Sequence, residues 1–202
     1  MVFKQGSMEN LVITDFWKGK KVLITGHTGF KGSWLSLWLS QLEAEVYGVS
    51  LAPESQLALF SLLNLKDELT HHIGDIRDRS LIKDHIRQFN PEVIFHMAAQ
   101  SLVRRSYREP CLTWETNVLG TINVLEVLRE HDKHCSVVIV TTDKVYENLE
   151  SIRPYKETDK LGGHDPYSSS KAAAELAVSS WNRSYLGKDS PARVATARSG
   201  NV

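Results

Sequence analysis

The fold of this chain is decided by the stretch KKVLITGHTGFKG at residues 20–32. Its first part, from Lys20 to Thr25, is a short apolar run that predicts a buried strand. From Phe30 onward the spacing of apolar residues predicts a helix near 30–42. Those apolar residues are Phe30, Trp34, Leu35, Trp38, Leu39 and Leu42. The glycines therefore lie on a strand-to-helix turn.

This turn is suited to binding a dinucleotide. Glycine lets the backbone turn tightly and approach a ligand closely. A helix N-terminus presents free N–H groups and a partial positive charge to a diphosphate. An ordinary strand-to-helix turn is the alternative, but the strand before and the helix after supply the context that the motif requires. We predict cofactor contacts from Gly26, Thr28, Gly29, Phe30, Lys31 and Gly32.

Strand and helix patterns alternate along the rest of the chain. Strands are predicted near 20–25, 45–50, 69–73, 92–96, 136–141 and 193–197, and helices near 30–42, 78–89, 112–131 and 166–186. Such alternation predicts an α/β fold, a Rossmann-type doubly wound parallel sheet with helices on both faces. We place the domain at residues 18–202 and treat residues 1–17 as a leader or irregular segment.

The amino-acid composition limits the kinds of molecule that the chain is expected to bind. The chain has 202 residues, 42% of them hydrophobic, and a formal net charge of zero. Neutral charge argues against nucleic-acid and membrane-surface partners. The two cysteines form no disulfide framework. The scattered histidines lack metal spacing and are interpreted as surface residues, so no metal site is predicted. The sequence contains no run of 18 apolar residues and no secretory segment, which favours a cytoplasmic protein.

The ends of the second and third strands leave two questions open. The second ends at Ser50, followed by Leu-Ala-Pro and Glu54, without the usual acid for a ribose 2′-OH and without an arginine for a 2′-phosphate. The sequence there does not decide between NAD and NADP. After the third strand, Asp75 can accept from an adenine amino group. Alternatively, Asp75 or Asp78 caps the next helix.

Reactive side chains follow the fifth predicted strand and begin the last helix. The strand turns polar at Thr142, Asp143 and Lys144, at the end where open α/β sheets bind ligands. Tyr167 and Lys171 share one helical face. A free tyrosine has a pKa of about 10, and a neighbouring ammonium and a positively charged nicotinamide both favour the phenolate. We therefore predict that Tyr167 acts as a base near neutral pH.

These residues, in this order, resemble the extended short-chain dehydrogenase/reductases. The matching positions are Gly26, Gly29, Gly32, Asp75, Ile76, Ala98, Ala99, Gln100, Asn117, Thr142, Tyr167 and Lys171. Three stretches are similar to CDP-glucose 4,6-dehydratases in particular: GHTGFKGSWL at 26–35, TTDKVY at 141–146 and LGGHDPY at 161–167. Most sugar-nucleotide 4,6-dehydratases carry Asp-Glu where this chain has Asp143-Lys144. The similarity runs from about Lys18 to Val202.

The resemblance implies NAD-dependent dehydration of CDP-glucose to CDP-4-dehydro-6-deoxyglucose, in deoxysugar and lipopolysaccharide O-antigen synthesis. Tyr167 would take the C4 hydroxyl proton while the C4 hydride passes to NAD⁺, Thr142 would bind the same oxygen, and Lys171 would bind the nicotinamide ribose. Asp143 would protonate the departing C6 hydroxyl. Lys144 would assist C5 deprotonation, either as a base or as a cation.

Further binding residues follow from the resemblance. The remaining cofactor contacts would come from Asp75, Ile76, Ala98, Ala99, Gln100 and Asn117, and the substrate contacts from Ser101, Arg104, Thr142, Arg198 and Asn201. Asn117 either orients Lys171 through water or is a buried polar residue beside the sheet. A solvated helix face explains Arg104 nearly as well as substrate binding.

Relatives of this kind continue well beyond the position of Val202. The chain is therefore expected to be the cofactor half of a dehydratase, with the C-terminal substrate domain largely absent. By analogy, the helices near 112–131 and 166–186 would pair in a homodimer or higher homo-oligomer, using Ile122, Leu125, Leu128, Ala172, Leu176 and Ala177. A core face is the equally good alternative. Alternative functions are a GDP- or dTDP-hexose dehydratase or epimerase, and a non-catalytic dinucleotide-binding module.

Overall fold

A computed structural model of the chain describes residues 14–150 and 152–200. Its centre is a six-stranded sheet in the order β3-β2-β1-β4-β5-β6, in which every neighbouring pair is parallel. The strands are β1 Lys21–Thr25, β2 Glu45–Ser50, β3 Thr70–Ile73, β4 Val93–His96, β5 Cys135–Thr142 and β6 Ala192–Ser199. Strand order reverses between β1 and β4, which opens a crevice at their carboxyl ends. The predicted Rossmann-type sheet is confirmed.

Eight α-helices accompany the sheet in the described part of the chain. They are α1 Thr14–Trp17, α2 Phe30–Gln41, α3 Leu59–Leu62, α4 Arg79–Phe89, α5 Val103–Arg108, α6 Pro110–Trp114, α7 Gly120–Arg129 and α8 Pro166–Ser184. The helix predicted near 112–131 is interrupted by a π-helical turn at Glu115–Leu119. Helix α5 has no counterpart among the predicted elements. No described helix is both long and apolar enough to cross a membrane.

The apolar core is divided by the sheet into two clusters. Leu23 of β1 belongs to the larger cluster, with side chains from α4, α7 and α8. Its neighbours Val22 and Ile24 point the other way, into a smaller cluster that includes Leu39 of α2. Strand β1 is therefore buried on both faces, as a continuous apolar run predicts for a central parallel strand.

Helix α2 forms where predicted, but the face that it buries is not the aromatic one. Phe30, Trp34 and Trp38 are each at least half exposed, at 56%, 50% and 52%. The reason lies in the glycine turn, because a Cβ atom on Gly32 would overlap the carbonyl oxygen of Gly26. The first turn of α2 thus lies too close to the backbone for large side chains. The helix buries Gly32, Ser33, Ser36 and Leu39 instead.

Two expectations about boundaries and interfaces change. Trp17 packs beside Phe95, with ring centroids 6.2 Å apart, so the packed domain begins before Lys18. The expectations for residues 1–13 lie outside the described residues. Of the six residues predicted at an interface, Leu125, Leu128 and Ala172 are buried in the described monomer, because α7 and α8 turn them inward. Leu176, in contrast, is 60% exposed.

Candidate active site

The glycine turn owes its shape to close backbone packing. Gly26 has φ +80°, and a Cβ atom there would lie 2.6 Å from the backbone nitrogen of Ala98. Its amide donates to the carbonyl of Val49, at 2.9 Å, which holds the turn against β2. No side chain caps α2 at Gly29. The first amides of α2 are therefore available to an anion in the crevice.

A cleft of about 700 Å³ runs from this turn to the end of β5. Many of the predicted site residues line it: Gly26, Thr28, Gly29, Phe30, Lys31, Gly32, Asp75, Ile76, Ala98, Ala99, Gln100, Ser101, Thr142, Tyr167 and Lys171. Arg105, which follows the same strand exit as Ser101 and Arg104, also lines the cleft, whereas the sequence did not point to other lining residues, which include Arg77, Thr116, Val140, Ser199 and Gly200. The alternation of strands signals where the cleft lies, but not which loop residues turn toward it.

Thr28 ties the glycine turn to the end of β2. Its hydroxyl donates to the carbonyl of Leu51 at 2.9 Å and lies 2.8 Å from Oγ of Ser50. The cleft wall beyond this point continues through Ala52, Pro53 and Glu54. No arginine takes part in this stretch of wall.

A buried histidine supports the turn from below. Nε2 of His27 lies 2.6 Å from Nδ1 of His71, and its ring lies against Gly48. Burial, followed by the nearby His71, lowers the pKa of His27 to about 3. The interpretation of His131 as a surface histidine is wrong, since it is 9% exposed, and both His27 and His96 are buried. Their spacing alone does not reveal that the fold buries them.

The sequence left open whether the acidic residues after β3 cap a helix or face the cofactor, and the structure gives Asp75 and Asp78 different positions. Asp78 caps α4, because its carboxylate accepts from the amides of Ser80 and Leu81. Asp75 lines the cleft and is held by Arg77, whose Nη2 donates to it at 2.7 Å. Hydrogen bonding from Arg77 keeps the pKa of Asp75 below its ordinary value. An ionised acceptor thus lies at the end of β3.

Reactive groups gather at the end of β5. The Thr142 hydroxyl donates to Asp143 at 3.0 Å, and Nζ of Lys144 lies 3.4 Å from the same carboxylate oxygen. Burial raises the pKa of Tyr167, and a hydrogen bond with Thr142 opposes that shift only in part. The chain alone therefore keeps Tyr167 a neutral phenol, and its role as a base, for which the charge of a bound nicotinamide is also needed, stays a prediction.

Lys171 is buried and lines the same cleft. Its ammonium donates to the carbonyl of Val140 at 3.2 Å. Burial, followed by the charge of Lys31, lowers its pKa to about 8. Lys171 does not figure among the causes that shift the pKa of Tyr167. The effect of Lys171 on the pKa of Tyr167 stays a prediction.

Arg198, predicted to contact substrate, faces away from the cleft. Its guanidinium binds Glu175 through Nε, at 2.9 Å, and through Nη2, at 2.5 Å. Glu175 also accepts from the Thr141 hydroxyl at 2.6 Å. Because side chains alternate along β6, Arg198 points toward α8 while Ser199 points toward the cleft. The position of Arg198 corresponds to a structural ion pair.

Three further predicted residues have these placements. Asn117 is buried, exchanges hydrogen bonds with the backbone of Gln100 and donates to Oγ of Ser170, which corresponds to the buried-polar alternative. Arg104 is exposed, and Arg105 lines the cleft instead because α5 turns it inward. The prediction for Asn201 lies outside the described residues.

A second cavity of about 330 Å³ adjoins Asp143 and Lys144. Tyr146 and Tyr155 stack beside it, with centroids 4.9 Å apart. In the sequence Tyr146 stands out only as part of the TTDKVY motif, and Tyr155 was not predicted as a site residue. Over residues 14–150 and 152–200, no group of three histidine, cysteine or acidic side chains is placed to hold a metal ion.

The fold and the cleft define a dinucleotide-binding α/β domain of the Rossmann type. A family model described as GDP-mannose 4,6 dehydratase matches residues 23–192, and the chain belongs to that family. This confirms the resemblance to sugar-nucleotide dehydratases inferred from the motifs.

Individual relatives agree with the family assignment. CDP-glucose 4,6-dehydratase of Salmonella typhimurium is 45% identical over 199 residues, which cover 95% of this chain and 55% of the relative. CDP-paratose 2-epimerase of Salmonella typhi is 34% identical over 181 residues, covering 77% and 51%. Among solved structures, UDP-glucose 4-epimerase of Thermus thermophilus in complex with NAD has a TM-score of 0.74 at 28% identity, covering 88% and 54%. The chain spans about half the length of the curated relatives it matches.

Proposed function

We propose that this chain is the NAD-binding part of a CDP-glucose 4,6-dehydratase, a hydro-lyase that moves a hydride from C4 to C6 of the hexose. One observation carries the proposal. Thr142, Tyr167 and Lys171 lie on the wall of the same cleft that begins at the glycine turn, with Asp143 and Lys144 adjoining. Redox chemistry at one carbon and acid–base chemistry at its neighbours are thus available in one place.

The charges of the cleft support a diphosphate-bearing cofactor. Lys31 and Lys171 both line it, and their described hydrogen bonds go to neutral oxygens of Ser199, Gly200 and Val140. The uncapped start of α2 adds partial positive charge. A diphosphate between them would supply the missing negative charge. The similarity to an epimerase solved with NAD favours NAD as that cofactor.

The residues divide the reaction among themselves as follows. NAD⁺, when bound, supplies a reversible acceptor for the C4 hydride. Tyr167 takes the C4 hydroxyl proton, with Thr142 hydrogen-bonded to the same oxygen. The resulting ketone acidifies the C5 proton, which is removed with the help of Lys144, and Asp143 protonates the departing C6 hydroxyl as water. The hydride then returns to C6 and a proton to C5.

Ionisation of Tyr167 is the step that needs ligand. Burial holds its pKa above the ordinary value in the chain alone. A positive charge placed beside the phenol favours the phenolate, and protonated Lys171 adds a second one. Oxidation at C4 is therefore coupled to cofactor occupancy.

CDP-glucose is favoured among nucleotide sugars by the most extensive similarity reported above, 45% over 199 residues. Asp143-Lys144 supports elimination across C5–C6, since epimerisation needs no acid at C6. The 34% similarity to a 2-epimerase keeps epimerisation as the second candidate. A cytoplasmic location, a place in deoxysugar and lipopolysaccharide synthesis and a homo-oligomeric state through α7 and α8 belong to the same proposal; the exposed Leu176 supports the last.

Two measurements test the proposal. Calorimetric titration of NAD⁺ into the chain tests cofactor binding. Mass spectrometry of CDP-glucose after incubation tests the reaction, in this chain and in this chain joined to the residues that follow in the Salmonella relative. We expect loss of one water in the joined protein and none in its Tyr167→Phe variant. NAD⁺ binding without loss of water in either form would instead favour a non-catalytic dinucleotide-binding module.

A further inference from the structure

Lys31 spans the mouth of the cleft. It lies in the first turn of α2, and its ammonium donates to Oγ of Ser199 at 3.0 Å and to the carbonyl of Gly200 at 2.6 Å. These acceptors are at the end of β6, three strands away from β1 in the sheet. One side chain thus joins the glycine-turn wall of the cleft to the opposite wall.

The two partners of the Lys31 ammonium do not neutralise its charge. Both are neutral oxygens, whereas an anionic partner would add the attraction between opposite charges. Lys31 and Lys171 line the same cleft, and the charge of Lys31 contributes, after burial, to the lowered pKa of Lys171. Over residues 14–150 and 152–200, neither ammonium takes part in an ion pair. The arrangement therefore favours an exchange of partner when an anion enters.

We propose that Lys31 is an exchangeable strap: it closes the cleft by binding the end of β6, and a dinucleotide diphosphate at the start of α2 replaces Ser199 and Gly200 as its partner. Because Lys31 lies in the first turn of α2, its ammonium is within reach of a diphosphate bound to the amides at the start of that helix. This inference rests on the proposed cofactor but assigns Lys31 a positioning role that cofactor binding alone does not require.

Loss of the contacts between Lys31 and the end of β6 also affects the catalytic end of the cleft. Ser199 pairs with Thr142 in the register of β5 and β6, and its hydroxyl donates to Thr141 at 3.3 Å. A Cβ atom on Gly200 would lie 3.9 Å from the Asp143 carboxylate. Loss of the Lys31 contacts frees the chain beside that acid, so cofactor entry loosens the cleft wall where substrate must approach.

Amide hydrogen exchange at Ser199 and Gly200 tests the exchange of partner directly. NAD⁺ and ADP both carry a diphosphate, and adenosine provides the control without one. We expect saturating NAD⁺ or ADP to speed exchange at these amides about tenfold, since a hydrogen bond to a charged group is worth about 1.5 kcal/mol. Adenosine should leave it unchanged. Slower or unchanged exchange with bound NAD⁺ would overturn the inference, whereas failure of NAD⁺ to bind at all would overturn the proposed function.

Variants at Lys31 separate the strap from general stability. In Lys31→Met without ligand, exchange at Ser199 and Gly200 should already be fast and should not respond to NAD⁺. NAD⁺ affinity should fall about tenfold, as for loss of one charge-assisted hydrogen bond. Lys31→Arg should restore the NAD⁺ response, and Lys66→Met, at an exposed position, should match the parent chain. A Lys31→Met chain whose amides still respond to NAD⁺ would contradict the strap.

Discussion

The glycine turn and the end of β5 form opposite walls of one cleft, yet they are built in different ways. The turn is shaped by backbone contacts: Gly26 is held against β2 and β4, and Gly32 lies against the carbonyl of Gly26. At the end of β5 the geometry depends on polar side chains, with Asp143 between Thr142 and Lys144. The first wall is complete without ligand.

At the end of β5 the side chains are in place, but Tyr167 does not have the protonation state that catalysis needs. Burial raises the pKa of Tyr167, so the chain alone does not favour its phenolate, and burial lowers the pKa of Lys171 to about 8, close to neutral pH. Backbone packing thus fixes the shape of the glycine turn before a ligand binds, whereas the protonation states at the end of β5 depend on the ligand. Substitutions at the turn should act mainly on folding and affinity, and substitutions at the other wall on pH dependence.

Gly26→Ala should have the largest effect. A non-glycine residue at φ +80° costs about 1–2 kcal/mol, and the overlap with Ala98 adds about 1–3 kcal/mol. We expect a loss of roughly 2–5 kcal/mol in the free energy of unfolding and no measurable NAD⁺ binding. Urea denaturation and calorimetric titration measure the two effects.

Gly19→Ala is the matched control for that substitution. Gly19 has a similar φ, +68°, but a Cβ atom there meets nothing within 4 Å. Only the conformational strain of about 1–2 kcal/mol should appear, with unchanged NAD⁺ affinity. Equal losses in the two variants would show that backbone crowding does not shape the turn.

Glu175→Gln tests the interpretation of Arg198 as structural. Glu175 is 6% exposed in its side chain and Arg198 16%, so the substitution leaves a buried guanidinium without its counter-charge. We expect a loss of about 3 kcal/mol in the free energy of unfolding, measured by urea denaturation. Glu43→Gln removes the exposed pair with Lys18 and should change nothing measurable. Wild-type stability in Glu175→Gln would return Arg198 to the candidates for substrate contact.

The pH dependence of stability sharpens the contrast at the reactive wall. The pKa of Lys171 is about 8 in the folded chain, against 10.5 for an ordinary lysine. Between these values the unfolded chain holds a proton that the folded chain has lost, so raising the pH stabilises the fold. From pH 8 to about pH 10 this group should contribute roughly 2 kcal/mol.

Lys171→Met isolates that contribution. The difference in unfolding free energy between wild type and variant should shift in favour of the wild type as the pH rises through this range. Urea denaturation at several pH values measures it. Lys66→Met serves as the control, with a difference that is the same at both ends of the range. A constant difference for Lys171→Met as well would mean that the buried ammonium keeps its proton.

The two walls also differ in how far the sequence predicts them. Gly26 and Gly32 mark the turn because only glycine meets a local backbone requirement, and such requirements are visible in sequence. Arg198 was misplaced because its side-chain direction depends on strand register, and one residue shifts it to the other face. The charged states of Tyr167 and Lys171 depend on burial by distant segments, which local spacing does not contain. The same holds for His27, whose partner His71 comes from a strand two positions away in the sheet.

The smallest effect should come from Thr28→Val, which keeps the shape of the turn but removes its polar link to β2. The variant loses the hydrogen bonds to Ser50 and Leu51, and we expect a loss of about 1 kcal/mol in the free energy of unfolding. Because backbone packing still holds Gly26, NAD⁺ affinity should fall no more than about threefold. Thr28→Ser retains the hydroxyl and should restore both values in denaturation and calorimetry. A collapse of NAD⁺ binding in Thr28→Val would mean that the side chain, rather than the glycine backbone, organises this wall.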